Sequence, residues 1–344
     1  RSSPGMNPGM MDALVSFILS QDPLTVIVLL MAISAIENIF PPVPAELYEP
    51  IRYMLSLGGK RLRPALLLMA NEAFGGREED ALGPALGIEV FHNFTLLHDD
   101  IMDKAPLRRS RETVHAKWNT DIAILSGDAM FVKSCQLIAD CPDRHLRATL
   151  EDFHQTALLV CEGQQLDMNF EHQSLVRIED YLGMISLKTA VLIGAALRMG
   201  ARLGGASEED AQHLYEFGRS LGVAFQLHDD ILDAYGDPEK FGKQVGGDII
   251  ANKKTYLLLT AIDSADLHTL EELEFWIKRK EFNPAEKVQA VKTIFEKLNV
   301  REKAEAELSR HFECALAELD CIPLPEEARK PLRELAEHLM VRES

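Results

Sequence analysis

The chain has 344 residues with a formal net charge of −18, and 47% of them are hydrophobic while 26% are charged. This composition is typical of a globular protein with a sizeable core and excludes a disordered chain. The acidic excess makes nucleic acid an unfavourable partner, because a phosphate backbone needs a basic surface, and a small anionic substrate would need a local basic patch.

The N-terminal region raises the question of a membrane. Residues 1–10 are rich in Gly, Pro and Met, so we expect a disordered leader or a non-native remnant there. Residues 11–43 form an atypical apolar segment, in which the uncharged stretch Leu24 to Ile36 would rise roughly 20 Å as a helix. That length is short of the ~30 Å core of a bilayer. We expect a packed helix, and membrane contact by residues 11–36 is the less favoured alternative.

From Pro44 onward, apolar residues recur every three or four positions, which predicts helices. Glycine pairs lie where helices should end, because glycine readily takes the left-handed conformation that follows a helix. The pairs are Gly58–Gly59, Gly75–Gly76 and Gly204–Gly205. No alternating β-branched run is bounded by turns, so strands are not predicted. We predict an all-α, single-domain bundle over residues 44–344.

The first basic segment, Gly58 to Pro64, reads GGKRLRP at a predicted helix start. Free N–H groups and the helix dipole favour an anion at such a place. A second basic segment, Arg108–Arg109 with Arg111, follows the first acidic cluster of the chain. Either segment by itself could be a solvated surface, but basic residues beside paired carboxylates favour a phosphate site.

The acidic cluster occurs twice. The heptapeptides LHDDIMD (97–103) and LHDDILD (227–233) share six of seven residues and lie 130 positions apart. On a helix, Asp99 and Asp103 share one face, and Asp229 and Asp233 repeat that geometry. Like charges this close repel, so we expect a compensating cation. All-oxygen ligands select a hard ion, Mg²⁺ or else Mn²⁺, and such an ion keeps positions open for substrate phosphates.

The predicted helix from Tyr181 to Met199 is apolar around its whole circumference but contains Lys188. A helix of this kind lies in a bundle core or in lipid, and its charged residues favour the bundle. A single lysine in a core helix calls for a functional explanation.

Together these motifs resemble those of the trans-polyprenyl diphosphate synthases, which join isoprenoid units head to tail. The match runs from about Pro44 to at least Leu259, and the order and spacing of its motifs are specific although each motif alone is weak. Besides those above, the motifs are GQQLD (163–167), SLKT (186–189), FQLHDDILD (225–233), GKQVGGDI (242–249) and NKK (252–254). The resemblance implies an isoprenoid synthase bundle around an apolar elongation cavity, and a homodimer.

The resemblance also implies roles for individual residues. Two Mg²⁺ would be held on the allylic diphosphate by Asp99 and Asp103, and a third by Asp229, supported by Asp100, Asp230 and Asp233. The allylic diphosphate would be bound by Arg108, Lys188, Lys243 and Lys253, with Asp248 nearby. Isopentenyl diphosphate would be bound by Lys60, Arg63, His92 and Arg109. The residues expected to act in catalysis are Arg108, Lys188, Thr189, Gln226 and Lys243, where the dipoles of Thr189 and Gln226 face the developing cation.

The chemistry implied by the family needs no nucleophilic side chain. Neutralising the pyrophosphate leaving group allows an allylic cation to form, and the alkene of isopentenyl diphosphate attacks it in an apolar pocket that excludes water. We therefore expect His98 and His228 to be packing or supporting residues rather than a base.

Product length in such enzymes depends on the side chains at the floor of the pocket. Phe94, Thr95 and Phe91 precede Asp99 by five, four and eight residues. An aromatic residue five positions before a short DDxxD motif resembles the archaeal geranylgeranyl pattern. We predict C15–C20 products, with C20 favoured and farnesyl diphosphate as the alternative. Plain core packing is the competing explanation for both phenylalanines.

One segment departs from the family pattern, since Ser110–Arg111–Glu112 stands where the family commonly has Gly-x-Pro.

Three other functions compete with that of a prenyl diphosphate synthase. A class I terpene cyclase would share the first motif but lack GGKRLRP. A metal phosphohydrolase of the HD type would explain the two His-Asp doublets but leave the arginine pair unused. A non-catalytic subunit would lack aspartates or arginines that this chain keeps.

The five cysteines are odd in number and include no C-x-x-C pair. This pattern favours neither a disulfide framework nor a zinc ribbon. Reduced thiols and a cytoplasmic location are expected.

Overall fold

The computed structural model describes residues 36–236 and 245–340. The predicted leader, most of the apolar segment 11–43, and Lys243 lie outside the described residues. After a 3₁₀ turn, Ile36–Ile39, the first helices are α1 (Ala45–Ser56), α2 (Leu62–Ala73), α3 (Glu78–Met102), α4 (Val114–Lys117), α5 (Thr120–Ile138), α6 (Asp143–His172) and α7 (Ile178–Ile185). A π-helical turn, Ser186–Ala190, joins α7 to α8 (Val191–Leu203).

The remaining helices complete the bundle. They are α9 (Glu208–Tyr235), α10 (Gly247–Ile250), α11 (Tyr256–Ser264), α12 (Leu267–Lys278), α13 (Pro284–Lys297), α14 (Val300–Asp320) and α15 (Glu326–Met340). Long helices pack in pairs, α3 with α5, α2 with α8, α8 with α9, and α9 with α14. The all-α architecture is as predicted.

The core helix is the continuous segment Ile178–Leu203, which spans α7, the π turn and α8. By length and composition it could cross a membrane, but 61% of its apolar window is buried inside the bundle. Leu192 and Leu197, for example, are fully enclosed by neighbouring helices. Burial against protein therefore accounts for a helix that is apolar on all sides, as the sequence indicated.

The predicted helix ends are confirmed at the glycine pairs. α2 and α8 end just before Gly75 and Gly205, whose φ angles of 74° and 92° lie in the left-handed region. An L side chain would be strained there, so these glycines suit the ends of the two helices.

The prediction that the chain has no strands is wrong at one place. Leu107–Arg108 pairs antiparallel with Arg111–Glu112 in a short hairpin. The two turn residues, Arg109 and Ser110, both have positive φ, 52° and 62°, as a two-residue hairpin turn requires. Strands of two residues are too short to produce an alternating pattern. Arg109 and Ser110 are also not among the residue pairs that typically predict such a turn.

Candidate active site

The first acidic segment lies at the C-terminal end of α3, where Asp99 is half-buried, Asp100 is buried and Asp103 caps the helix. Burial raises the pKa of Asp103, and the neighbouring carboxylate of Asp99 raises it further. The last turn of α3 contains no basic residue, and the dipole at this end of a helix is also negative. The segment therefore needs positive charge from elsewhere in the fold.

That charge comes from two cations on other elements. The Lys188 ammonium lies 3.1 Å from Asp99 Oδ1 and 2.6 Å from Asp167 Oδ2. Arg108 Nε donates to Asp100 Oδ2 at 2.7 Å, and its guanidinium also lies 3.9 Å from Asp99. Burial acts to lower the pKa of Lys188, but Asp99 and Asp167 outweigh it and the pKa lies above its ordinary value. A full positive charge thus stands between the carboxylates of α3 and α6.

The π turn that carries Lys188 is closely packed on both sides. A Cβ placed on Gly163 of α6 would lie 2.3 Å from the backbone nitrogen of Lys188. One placed on Gly222 of α9 would lie 2.6 Å from Ala190 Cα. The two glycines let both helices approach the turn. π-helical turns inside α-helices are frequently found at functional sites. The SLKT segment is therefore an irregular turn in the core helix. This turn carries Lys188, whose contacts with Asp99 and Asp167 account for a lysine in an apolar helix.

The second acidic segment lies near the end of α9. Asp230 is only 4% exposed, accepts a hydrogen bond from the Tyr181 hydroxyl, and receives another from Gln226 Nε2 at 3.2 Å. Burial raises the pKa of Asp230 to about 7. Thr189 Oγ1 lies 3.4 Å from Gln226 Oε1, which connects this network to the π turn. Asp229 lies half-buried beside it.

Asp233, predicted to support a metal, has a structural contact. Its Oδ2 accepts a hydrogen bond from the Asp248 backbone N–H at 2.9 Å, in the first turn of α10. Its backbone oxygen accepts one from the Gly246 N–H at 2.6 Å. Asp233 therefore fixes the segment that leads into the NKK motif.

The two acidic segments share one lysine. Burial disfavours the charged form of Lys253, but Asp248, Asp167, Asp230 and Asp103 together raise its pKa above the ordinary value. Asp103 belongs to the first segment and Asp230 to the second, so the charges of both segments act on Lys253. The repeat seen in the sequence is thus brought together by the fold.

The residues beside Lys253 anchor its loop. Lys254 donates to the backbone oxygens of Phe170 and Gln173 at the end of α6. Asn252 donates to Ile277 O at 3.0 Å and accepts from the buried Lys287 at 2.6 Å. These contacts tie the residues on either side of Lys253 to α6, α12 and α13.

A basic patch lies beside the first acidic segment. Arg63 Nη1 lies 3.1 Å from His92 Nε2. Burial lowers the pKa of Arg63 to about 10. Burial is the largest cause that lowers the pKa of His92 well below its ordinary value, and the charge of Arg63 lowers it further. His92 is therefore neutral at pH 7.

Arg109 belongs to the same basic patch. It donates to Gly58 O, and a Cβ on Gly59 would come within 2.9 Å of the Arg109 guanidinium. Burial lowers the pKa of Arg109, and the nearby charges of Arg108 and Arg61 lower it further.

Two residues of the GGKRLRP segment differ in their surroundings. Lys60 Nζ lies 5.1 Å from the centre of the Phe225 ring, at the edge of the patch. Arg61 is 8% exposed and pairs with the buried Glu89, and it donates to Leu55 O at 2.7 Å. Arg61 therefore holds the segment in place, and its charge still acts on His92 and Arg109.

An aromatic cluster lies one to two turns before the first acidic segment. Phe91 is buried, with ring centres of Phe94, Phe131 and Phe153 at 5.5, 6.1 and 5.1 Å. Phe94 also lies 5.4 Å from Phe131. The sequence singled out Phe91 and Phe94, but Phe131 on α5 and Phe153 on α6 were missed. Thr95 Oγ1 donates to His92 O at 2.7 Å, so its hydroxyl is bonded to its own helix.

Both histidines beside the acidic pairs have packing contacts. His98 lies 4.7 Å from the Phe94 ring, and its Nε2 lies 3.2 Å from Ile124 O. Burial lowers the pKa of His228, and a hydrogen bond with the Leu339 backbone partly offsets this effect. These surroundings agree with the expectation of packing or supporting residues.

Two further polar residues at the site were not among the predicted set. Asp167 binds Lys188, and Tyr181 binds Asp230. Asp167 ends the GQQLD motif, which was noted without a role for its aspartate. Tyr181 stood in an apolar helix, where nothing in the sequence showed what its hydroxyl would contact.

The donor chemistry fits a hard divalent cation. Asp99, Asp103 and Asp229 offer carboxylate oxygens, the ligands that Mg²⁺ prefers in proteins. Lys188 already places a positive charge on Asp99, which shows that a cation is favourable there. Within residues 36–236 and 245–340, no group of three His, Cys, Asp or Glu side chains is arranged as a ready ligand set. For a metal ion to bind Asp99, the Lys188 ammonium would have to move away from that carboxylate.

The chain is similar to known proteins over most of its length. The family described as "Polyprenyl synthetase" matches residues 44–296. The geranylgeranyl diphosphate synthase of Methanosarcina mazei is 42% identical over 67% of this chain and 72% of its own. The short chain isoprenyl diphosphate synthase of Methanothermobacter thermautotrophicus is 37% identical over 89% of this chain and 94% of its own. A (2E,6E)-farnesyl diphosphate synthase of Mycobacterium bovis is 34% identical, covering 83% and 80%.

Solved structures share the fold. The geranylgeranyl pyrophosphate synthetase of Pyrococcus horikoshii has a TM-score of 0.88 at 33% identity, covering 96% of this chain and 99% of that one. A polyprenyl synthase of Caulobacter crescentus, complexed with calcium and isoprenyl diphosphate, has a TM-score of 0.85 at 28% identity, covering 96% and 98%. Both similarities extend beyond the acidic segments to nearly the whole bundle.

Proposed function

Because the chain belongs to the polyprenyl synthetase family and is a short-chain prenyl diphosphate synthase, we propose that its main product is all-trans geranylgeranyl diphosphate. It would form this C20 product from isopentenyl diphosphate and an allylic diphosphate primer, releasing pyrophosphate. The primer would be dimethylallyl, geranyl or farnesyl diphosphate. The observation that carries the proposal is that both acidic segments meet at the π turn, the first through Lys188 and the second through Thr189 and Gln226. The Arg63–His92–Arg109 patch lies beside the first segment. Farnesyl diphosphate is the second candidate product, since one relative is a farnesyl diphosphate synthase.

The carboxylates would hold the metal ions. We assign Asp99 and Asp103 to two Mg²⁺ and Asp229 to a third, and Mn²⁺ could replace Mg²⁺ because it accepts the same oxygen ligands. When bound, these ions neutralise charge on the allylic diphosphate. Asp100 and Asp230 would support the ligands through their bonds to Arg108 and Tyr181. Asp233 would act through the position of α10 rather than on a metal.

The leaving diphosphate would also be bound by side chains. Arg108, Lys188 and Lys253 border the acidic segments and can donate to phosphate oxygens once metal ions occupy the carboxylates. Lys243 has the same proposed role and lies outside the described residues. Cations placed where negative charge develops lower the barrier to cleavage of the C–O bond.

Isopentenyl diphosphate would bind at the basic patch. Arg63 and Arg109 supply permanent charges, Lys60 lies at the edge, and neutral His92 can donate one N–H without adding to the repulsion. The alkene would then attack the allylic carbon, and the departing pyrophosphate would take up the released proton. Thr189 and Gln226, which lie 3.4 Å apart, would present dipoles to the cation, and an apolar pocket would exclude water that would quench it.

Phe94 is expected to limit product length, with Phe91 behind it. Because its ring packs on Phe91 and Phe131, Phe94→Ala would open space at the floor for further isoprene units. Products should lengthen by at least one C5 unit, as sized by chromatography after dephosphorylation. Phe275→Ala, an exposed residue on α12, serves as the matched control. An unchanged product from Phe94→Ala would assign Phe94 to core packing alone.

The whole proposal is tested by incubating the purified protein with labelled isopentenyl diphosphate, Mg²⁺ and each primer in turn. We expect C20 to dominate from every primer. A dominant C15 product would instead support the farnesyl alternative. Release of phosphate without isopentenyl diphosphate would favour a hydrolase and contradict the proposal.

We also propose a homodimer, supported by exposed apolar side chains on α5 and α6. Leu125, Val132 and Leu158 are 59%, 58% and 66% exposed. A second copy of the chain could cover them. Sedimentation should show a dimer, and Val132→Glu should weaken it at least tenfold while Leu267→Glu, on α12, leaves it intact. A monomeric wild-type protein would contradict this assignment.

A further inference from the structure

The hairpin that carries Arg108 and Arg109 departs from the family pattern. Ser110–Arg111–Glu112 replaces Gly-x-Pro, so the glycine suited to a left-handed turn and the proline that stiffens the second strand are both absent. Arg109 and Ser110 nevertheless have φ angles of 52° and 62°. Side chains other than glycine are disfavoured in this conformation. Thr113 closes the base of the hairpin by hydrogen bonds to Ala105 O and Pro106 O, and contacts from outside the hairpin add to these.

The hairpin also contains an unfavourable charge pair. Arg108 lies directly opposite Arg111 across the two strands, and like charges in this position repel. Arg108 is held by Asp100 at 2.7 Å. The guanidinium carbon of Arg111 lies 5.1 Å from the centre of the Tyr53 ring, within the range of a cation–π contact. The two arginines are thus drawn to different partners.

Tyr53, on α1, makes further contacts with the same segment. Its hydroxyl donates to Glu112 O at 2.8 Å, which fixes the second strand at the position where the family has proline. Lys117 Nζ lies 4.4 Å from its ring centre, and the Trp118 ring packs edge-on at 5.3 Å. One ring and one hydroxyl therefore anchor the second strand and the end of α4 to α1.

We propose that Tyr53 is a positioning residue for the isopentenyl diphosphate site. By holding the second strand, it keeps the turn in its left-handed conformation and keeps the Arg109 guanidinium against Gly58 and Gly59. The inference rests on the proposed function, because it takes Arg109 as a ligand of isopentenyl diphosphate. Tyr53 itself is not placed in contact with substrate.

Tyr53→Phe tests this role, because it keeps the ring and removes only the hydroxyl. We expect KM for isopentenyl diphosphate to rise about fivefold, the factor that corresponds to one ordinary hydrogen bond. KM for the allylic primer should stay within about twofold. Tyr53→Leu, which also removes the cation–π contacts, should raise KM for isopentenyl diphosphate further. Tyr48→Phe makes the same change on the same helix, where the ring packs on Phe40, and should change neither constant.

Amide hydrogen exchange over residues 107–113 gives a readout that does not depend on the reaction. Faster exchange in Tyr53→Phe together with the selective rise in KM would support the proposal. Unchanged exchange would show that Tyr53 does not anchor the hairpin and would overturn it. Faster exchange with unchanged KM would overturn the link to substrate binding. Arg109→Gln separates the proposed function from this inference, since an unchanged KM there would contradict the assignment of Arg109 itself.

Discussion

Asp99→Asn should lower kcat by about a thousandfold or more, with the fold intact. The change removes a negative charge from the place where we assign a metal ion, and stabilisation of developing charge is usually the largest contribution to catalysis. The substituted amide keeps the size of the side chain, so circular dichroism and melting temperature should stay close to wild type. Steady-state turnover with labelled isopentenyl diphosphate measures the effect.

Asp263→Asn provides the control for Asp99→Asn. Asp263 is an exposed residue on α11, and the same change in charge there should leave turnover within a factor of two. If Asp99→Asn retained more than about a tenth of wild-type turnover at saturating Mg²⁺, the assignment of Asp99 to a metal ion would be wrong.

Lys188→Met should lower kcat by about a hundredfold and at the same time strengthen Mg²⁺ binding to the free protein. In the structure the lysine neutralises Asp99 and Asp167, so it competes with a divalent ion for the same oxygens. Its loss leaves these carboxylates more available to metal but takes one cation from the leaving diphosphate. Turnover and calorimetric titration with Mg²⁺ measure the two effects separately.

The opposite signs of these effects distinguish a competing cation from a merely structural lysine. Lys330→Met, which removes an exposed lysine of α15 that pairs with Glu334, should change neither quantity. Weaker Mg²⁺ binding in Lys188→Met would show that Lys188 supports the carboxylates instead of competing for them.

The acidic residues and helix ends could be predicted from sequence because their signals are local. Asp99 and Asp103 repeat the spacing of Asp229 and Asp233, and a repeated like-charge pair is unfavourable without a cation. Gly75 and Gly205 end helices through their own backbone preference. Such signals do not depend on knowing which helices pack together.

What the sequence could not show depends on contacts between distant segments. Phe131 and Phe153 join the aromatic cluster only because α5 and α6 pack near α3. Arg61 stands in a basic run, but only the fold shows that it pairs with the buried Glu89.

The roles of Asp233 and Tyr53 could not be predicted from the sequence either. Asp233 matches Asp103 in the repeat, but the Asp233 carboxylate accepts a hydrogen bond from the first turn of α10, which begins beyond the second acidic segment. Tyr53 precedes the hairpin by more than fifty residues, and only the fold places its hydroxyl on Glu112. Identical local sequences can therefore serve different purposes once their neighbours differ.

The most direct test of the account is calorimetric binding of a non-reactive thio analogue of the allylic diphosphate, with and without Mg²⁺. The account predicts tight binding that requires Mg²⁺ and is lost in Asp99→Asn and, independently, in Asp229→Asn. Binding of equal strength without Mg²⁺, or binding that either substitution leaves unchanged, would contradict the claim that both acidic segments join in one metal–diphosphate site.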